Sequence, residues 1–218
     1  MLRFVIVIFC LFMAAPSSAQ TVRVRLAKTT KVLRLKGTLD CGGRKVSEPR
    51  ARALGSRLQV NGSTVSKARC KGTGRFVYRG TAWIGGAELR LQAGALILVA
   101  SIELEKYIAG VVAAELLPGW PVEALKAMAV AARSYTLWRI GARSKAPFDL
   151  TADVSSQVFR GLDRVSRPVR EATRATRRQV LRYKGKPIAA YYHACAAGRT
   201  ATAGEVWGKD EPYLQSVV

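Results

Sequence analysis

The chain has 218 residues, 36 Lys+Arg against 14 Asp+Glu for a formal net charge of +22, and 49% hydrophobic residues. That apolar share is enough to bury a core, which excludes a disordered basic tail, and four cysteines in this length are too sparse for a small disulfide-dependent scaffold. The length is that of one main domain, and the charge calls for an acidic partner.

Residues 1–19 read as a secretory signal. Arg3 supplies the positive start, Phe4 to Ala15 form an apolar run of about a dozen residues, and Ser17-Ser18-Ala19 offer small residues for cleavage before Gln20. A membrane-spanning helix needs roughly twenty apolar residues, and no stretch of this chain qualifies. The expectation is an exported protein of the periplasm or cell wall, with no integral membrane span after signal cleavage. Cys41 and Cys70 sit in turn-rich contexts and are candidates for a disulfide in an oxidising compartment, the alternative being two free thiols. Cys195 is left over. With a single histidine and no CxxC pair, a four-ligand zinc site from Cys and His cannot be assembled alongside that bridge. No metal and no cofactor are expected.

Thr21 to Leu26 alternates, with Val22, Val24 and Leu26 on one face and Arg23 and Arg25 on the other, the pattern of a half-buried strand. Lys31 to Leu35 gives a second short strand. Residues 42–52 are polar and turn-rich and read as a loop. Short strands are expected over 57–60, 75–78, 81–84, 88–92 and 95–99, with Asn61-Gly62 and Gly85-Gly86 as hairpin turns. From Leu104 the period changes. Apolar residues at 104, 107, 108, 111 and 112 make one helical face, and Pro118 stops it. Pro121 opens a second helix that runs to about Ile140, with Glu123 near its positive end. A third helix is expected over 168–178, with Arg167, Arg170, Arg174 and Arg177 aligned on one face. Strands over 179–183 and 187–195 flank a Lys184-Gly185-Lys186 turn. The fold class is therefore α+β: a strand-rich N-terminal half with helices packed on the sheet, in a single main domain.

Glu115 stands out. Leu104, Ile108, Val111 and Glu115 fall within a narrow sector of the first helix, so a carboxyl lies on the stripe that otherwise faces the core. Desolvation penalises the charged form of a carboxyl. A carboxylic acid that keeps its proton near neutral pH is what glycosidic cleavage uses as general acid. The competing reading ends the stripe at Val112 and leaves Glu115 as an exposed C-terminal helix residue.

Glu115-Leu116-Leu117-Pro118, followed by Glu123-Ala124-Leu125-Lys126-Ala127-Met128-Ala129-Val130-Ala131-Ala132-Arg133-Ser134-Tyr135, resembles the signature of the stage II sporulation protein D (SpoIID/LytB) family. Tyr78-Arg79-Gly80, Leu104 to Ile108, Gln157-Val158-Phe159-Arg160-Gly161, Tyr192-His193, Gly198-Arg199-Thr200 and Val206-Trp207 match further family blocks in order. The resemblance runs over residues 55–218, which it marks as the catalytic domain, with 20–54 as N-terminal strands and a polar loop.

The resemblance implies a lytic transglycosylase that cuts peptidoglycan glycan strands, with a preference for strands stripped of stem peptides. Glu115 is then the single general acid and base, and the product carries a 1,6-anhydro end because the muramic C6 hydroxyl replaces attacking water. Lys126, Arg133, Tyr135, Gln157, Tyr192, His193 and Thr200 are implied substrate-binding positions. Lys126 and Arg133 lie two turns apart on one helix face and suit the lactyl carboxylate of peptide-free muramic acid; alternatively both are solvated, or Arg133 caps a buried acid. His193 and Cys195 share one strand face, open to reading as a Cys–His nucleophile pair, metal ligands or a structural pair. Three departures from the family pattern are Ser156 for a cysteine, Met128 for a glutamine and Ala197-Gly198 for a glycine pair.

The basic charge suits the polyanionic wall, and the arginine stripe from Arg167 to Arg177 is a candidate docking face, or else a solvated one. The second function is a non-catalytic wall-binding module that enhances an N-acetylmuramoyl-L-alanine amidase, which would be its partner. A third, an exported nucleic-acid binder, lacks any aromatic-interleaved basic motif, so no nucleic acid is expected as partner.

Overall fold

β1 (Thr21–Thr29) buries Val22 and Val24 completely, as its alternation requires, and runs antiparallel to β10 (Ala95–Glu103). β10 is the spine of the fold, because six consecutive residues from Ala95 to Ala100 are buried. A computed structural model describes residues 20–65, 68–193 and 195–218; the signal-like segment 1–19 lies outside the described residues. Among the described residues no helix is long and apolar enough to cross a membrane.

β8 (Arg69–Tyr78) and β9 (Thr81–Gln92) form a long antiparallel pair that continues the sheet from β10. β3 (Thr38–Asp40) and β4 (Lys45–Ser47) extend it on one side, while β11 (Leu150–Thr151) pairs parallel with β1 on the other. A smaller sheet is built from β2 (Leu33–Arg34), β5 (Arg50–Leu54), β6 (Arg57–Val60) and β7 (Ser63–Val65). The expected division between 20–54 and 55–218 falls in the β5–β6 turn, and β1 lies inside the larger sheet, so the two segments share one framework. Cys41, just after β3, is bonded to Cys70 in β8 across 29 residues of sequence, a closure that contributes about 3–4 kcal/mol in a chain-entropy treatment.

Two expectations change. Residues 42–52 are not a loop: β4 and the start of β5 form there, each burying a single apolar residue, Val46 and Ala51, against a polar outer face. One inward residue per strand leaves too little alternation to read in advance. Gly85-Gly86 is not a hairpin turn but the middle of β9. A Cβ on Gly85 would meet the Ser101 carbonyl oxygen at 2.1 Å, so the glycine lets β9 lie close against β10. Asn61-Gly62 does turn the chain, with φ of 48° and 84°.

α1 (Leu104–Glu115) follows β10 directly and buries Leu104, Tyr107, Ile108, Val111 and Val112. Each such side chain contributes about 1.5–3 kcal/mol of apolar burial. Leu116 closes it with an N–H donated to the Val112 carbonyl. α2 (Val122–Ala142) packs on α1 and buries Leu125, Ala129, Ala132, Arg133 and Tyr135. α3 (Arg167–Ala175) is shorter than its sequence suggests and contacts both. β12 (Arg182–Tyr183) and β13 (Lys186–Pro187) are a two-residue ladder around Lys184-Gly185, and no strand continues through 188–193. α4 (Ala203–Trp207) carries a capping box between Thr202 and Glu205.

Candidate active site

Glu115 is the last residue of α1 and is half-buried. Its Oε1 accepts the Val158 backbone N–H at 2.8 Å and the Tyr192 hydroxyl at 3.2 Å. Among the described residues Oε2 takes no hydrogen bond, and no lysine or arginine pairs with the carboxyl. One oxygen is therefore tethered by neutral donors and the other is left to the surface.

The tether is built by the segment around Gln157, which is fully buried. Its side-chain oxygen accepts from the Tyr107 and Thr136 hydroxyls at 3.3 and 2.8 Å, and its amide nitrogen donates to the Ala132 carbonyl at 3.3 Å. Gln157 thus locks its segment to α1 and α2 together, which sets the next N–H, that of Val158, on Glu115. Gly110 makes the approach possible. A Cβ there would meet the Phe159 ring at 2.1 Å and the Gly161 carbonyl oxygen at 2.9 Å. Phe159 is held in turn between Trp83 and Tyr107, with ring centroids at 5.5 and 4.9 Å.

Burial, then the charge of Glu115, push the Tyr192 phenol far above its ordinary range. Tyr192 is consequently a neutral donor at any working pH and presents its proton to the carboxyl. Burial likewise raises the Tyr107 phenol well above its usual value, keeping it a donor to Gln157.

The other expected site residues do not all gather here. Arg133 is almost fully buried. Its Nε and Nη2 hold both oxygens of Glu105 at 3.0 and 2.7 Å, and its remaining N–H groups reach the carbonyls of Ala129, Thr173 and Gln179. Every donor direction is taken, so the arrangement is the capping of an acid and leaves nothing for a substrate carboxylate. Gln157 is occupied in the same way. Tyr135 is buried and packs against Trp138 and Tyr191, each with ring centroids at 5.6 Å. Lys126 is half-exposed and paired with Glu123 at 2.7 Å. His193 is exposed, with Nδ1 3.0 Å from the Cys195 carbonyl oxygen. With no strand through 188–193, His193 and Cys195 have no common strand face, and Cys195 is an exposed free thiol. Thr200 pairs with Val217 through both its backbone and its hydroxyl. Only Tyr192, of these, touches Glu115.

Ser156 accepts the Thr151 backbone N–H at 3.2 Å, a turn-holding role. At Ala197-Gly198 both residues take positive φ, 47° and 93°, so alanine bears the left-handed strain a glycine would relieve. Among the described residues no cluster of His, Cys, Asp or Glu has the makings of a metal site.

Sequence reasoning missed the Val158 N–H, since a backbone donor has no residue-type signature. Of the readings left open for Arg133, the capping of an acid is the one found, in line with the stripe of Leu125, Ala129, Ala132 and Tyr135, since Arg133 follows Ala129 by one turn.

A strand-rich α+β domain thus presents, at the end of a helix, a carboxyl tethered at one oxygen by neutral donors and paired with no cation among the described residues. The family profile described as Stage II sporulation protein matches residues 92–183, a stretch that contains Glu115, α2, Gln157 and α3. An uncharacterized protein of Brachyspira hyodysenteriae is 37% identical over 143 residues, covering 65% of this chain and 39% of that relative. A Bacillus subtilis protein named amidase enhancer is 38% identical over 105 residues, covering 48% of this chain and 14% of its own length. The stage II sporulation protein D of Bacillus subtilis is 30% identical over 134 residues, covering 55% of this chain and 39% of that protein. The similarity to the Stage II sporulation protein family is carried by this segment, and the chain spans two fifths or less of the length of these relatives.

Proposed function

We propose that this protein is an exported peptidoglycan lytic transglycosylase, with Glu115 as its single general acid and base. The observation that carries the reading is the Glu115 carboxyl, tethered at Oε1 by Val158 and Tyr192 and without a hydrogen bond at Oε2 among the described residues. Oε2 donates its proton to the oxygen between N-acetylmuramic acid and N-acetylglucosamine as the muramic C1–O bond breaks, and the glucosamine leaves with a free hydroxyl. The muramic C6 hydroxyl then closes on C1 and returns its proton to the carboxylate, which leaves a 1,6-anhydro ring and restores Glu115. No second carboxylate is required, because the nucleophile is internal to the substrate and already close. The Tyr192 hydroxyl and Val158 N–H stabilise the carboxylate during the interval when it carries charge.

Among the expected binding positions, Lys126 is available to an anionic substrate group, being half-exposed on α2 with its one partner an exposed glutamate. The Cys41–Cys70 bond accords with an oxidising compartment, periplasm or wall.

A second reading, a wall-binding amidase enhancer without chemistry of its own, is favoured by the 38% identity to a protein of that name. Digestion of amidase-treated peptidoglycan by the wild type and by Glu115→Gln separates the two. Anhydro-muramic ends from the wild type alone support the transglycosylase. Their absence from both proteins, with both still sedimenting with the wall, overturns it in favour of the enhancer.

A further inference from the structure

Toward the other end of α1 from Glu115, α1, α3 and the segment around Leu162 and Val165 line an open cavity of about 600 Å³. Lys106 and Ala109, which line it, precede Glu115 by nine and six residues. At 1.5 Å per residue this wall lies roughly 9–14 Å from the carboxyl along the helix axis. Ala109, Leu162 and Val165 make an apolar lining, and Arg170, Arg174, Arg177 and Lys106 surround it with positive charge.

Two acids also line the cavity, and both are engaged. Glu103 Oε1 accepts the Glu105 N–H at 3.1 Å, and Glu105 is held at both oxygens by the buried Arg133. Arg170 spends one N–H on the Val165 carbonyl at 2.6 Å. Lys106, Arg174 and Arg177 make no ion pair or side-chain hydrogen bond among the described residues. Arg167, which heads the same arginine stripe in sequence, pairs with Glu171 at 2.7 Å and is not part of the lining. The stripe therefore divides: one arginine is solvated on the surface, and three face an apolar recess.

We propose that this cavity is a second, non-catalytic binding site that takes a short acidic peptide with methyl-sized side chains. The volume is that of a site for a small molecule or a few residues. Guanidinium forks receive carboxylates in pairs of hydrogen bonds, and Arg170 and Arg174, one turn apart on α3, with Arg177 just beyond its end, offer forks to successive carboxylates of one ligand. The lining of alanine, leucine and valine side chains rewards a ligand that carries methyl groups. A bare phosphate polymer offers the charge without that apolar part. Peptidoglycan stem peptides combine alanine methyls with free carboxylates. The cell-wall reading supplies only this source; the chemistry of the cavity is independent of what Glu115 does.

The test is titration of the full chain with N-acetyl-L-alanyl-γ-D-glutamyl-meso-diaminopimelyl-D-alanine, followed by calorimetry at low ionic strength. Saturable binding is expected, weakened about tenfold or more by the double variant Arg174→Ala/Arg177→Ala. It should be unchanged by Arg167→Ala, a same-helix charge control, and by Glu115→Gln. Arg174 and Arg177 are both exposed, so an unchanged thermal midpoint will show that the double variant is folded. The proposal is overturned by absence of saturable binding, by equal weakening in Arg167→Ala, or by inorganic phosphate binding as tightly with the same arginine dependence. Because Glu115→Gln should retain peptide binding, loss of the transglycosylase reading and loss of this one give different results.

Discussion

Two glutamates at opposite ends of one helix meet opposite fates. Glu105, in the first turn of α1, has both oxygens fixed by a buried guanidinium. Glu115, in the last turn, has one oxygen held by a backbone N–H and a tyrosine hydroxyl and the other free. A carboxylate locked in a desolvated ion pair is committed to its charge, because removing either partner strands the other. The Glu115 carboxyl is held by neutral donors alone among the described residues, so its loss strands no cation. The lesson is that a resemblance locates charged positions, while the partners show which are tied up as scaffold and which are left open.

The sharpest way to break the comparison is at the Glu105 end. Arg133→Met, or Glu105→Ala, leaves an uncompensated partner where α1, α2 and the Thr173 carbonyl converge, and should cost about 3–5 kcal/mol in denaturant unfolding. A loss below about 1 kcal/mol would place this pair with ordinary surface ion pairs. Next comes Gly110→Ala, which forces Phe159 and Gly161 off α1 and with them the Val158 N–H. Overpacking of this kind costs about 1–3 kcal/mol, and anhydro-end formation should fall further than the stability loss explains. Unaltered activity would mean that the Val158 tether is dispensable.

Tyr192→Phe sharpens the other end. It deletes one of the two donors to Glu115 and keeps the ring, so the fold should hold while turnover drops about tenfold, the equivalent of one hydrogen bond to a charged group. A KM change with turnover intact would assign Tyr192 to substrate binding instead. The smallest effect is expected at Glu205 in α4, far from both glutamates in sequence. The Thr202 backbone N–H first, and then Arg199, hold its carboxyl below the usual range. A depressed carboxyl stabilises fully above its ordinary pKa and loses that contribution as pH falls through the lowered one. Acid titration monitored at Trp207 should therefore show α4 loosening only below the ordinary carboxylate range, and Glu205→Gln should erase that step.

Much of this framework can be read directly from the chain. The alternation at Val22 and Val24, the span Arg57–Val60, and the apolar spacing of α1 appear in the structure where the residues put them. The failures have physical causes. β4 and β5 each bury too little to leave a period, and Gly85-Gly86 carries the marks of a turn while serving a close strand approach. The last segment, 188–193, has strand composition but no partner strand, so its residues were paired on faces that do not exist. At the site, position on an apolar stripe singled out Glu115. For Arg133 the capping of an acid was one of the open readings, but the identity of that acid, Glu105, 28 residues away, is beyond any local pattern. The Val158 donor is invisible to residue type altogether.

The most direct test sets Glu115→Gln beside Glu105→Gln, with anhydro-muramic ends and thermal midpoint measured on the same preparations. The first substitution should abolish the anhydro ends with the midpoint unchanged. The second should lower the midpoint while its folded fraction still makes them. Anhydro ends persisting in Glu115→Gln, or vanishing in a fully folded Glu105→Gln, would contradict the assignment of chemistry to one glutamate and scaffold to the other.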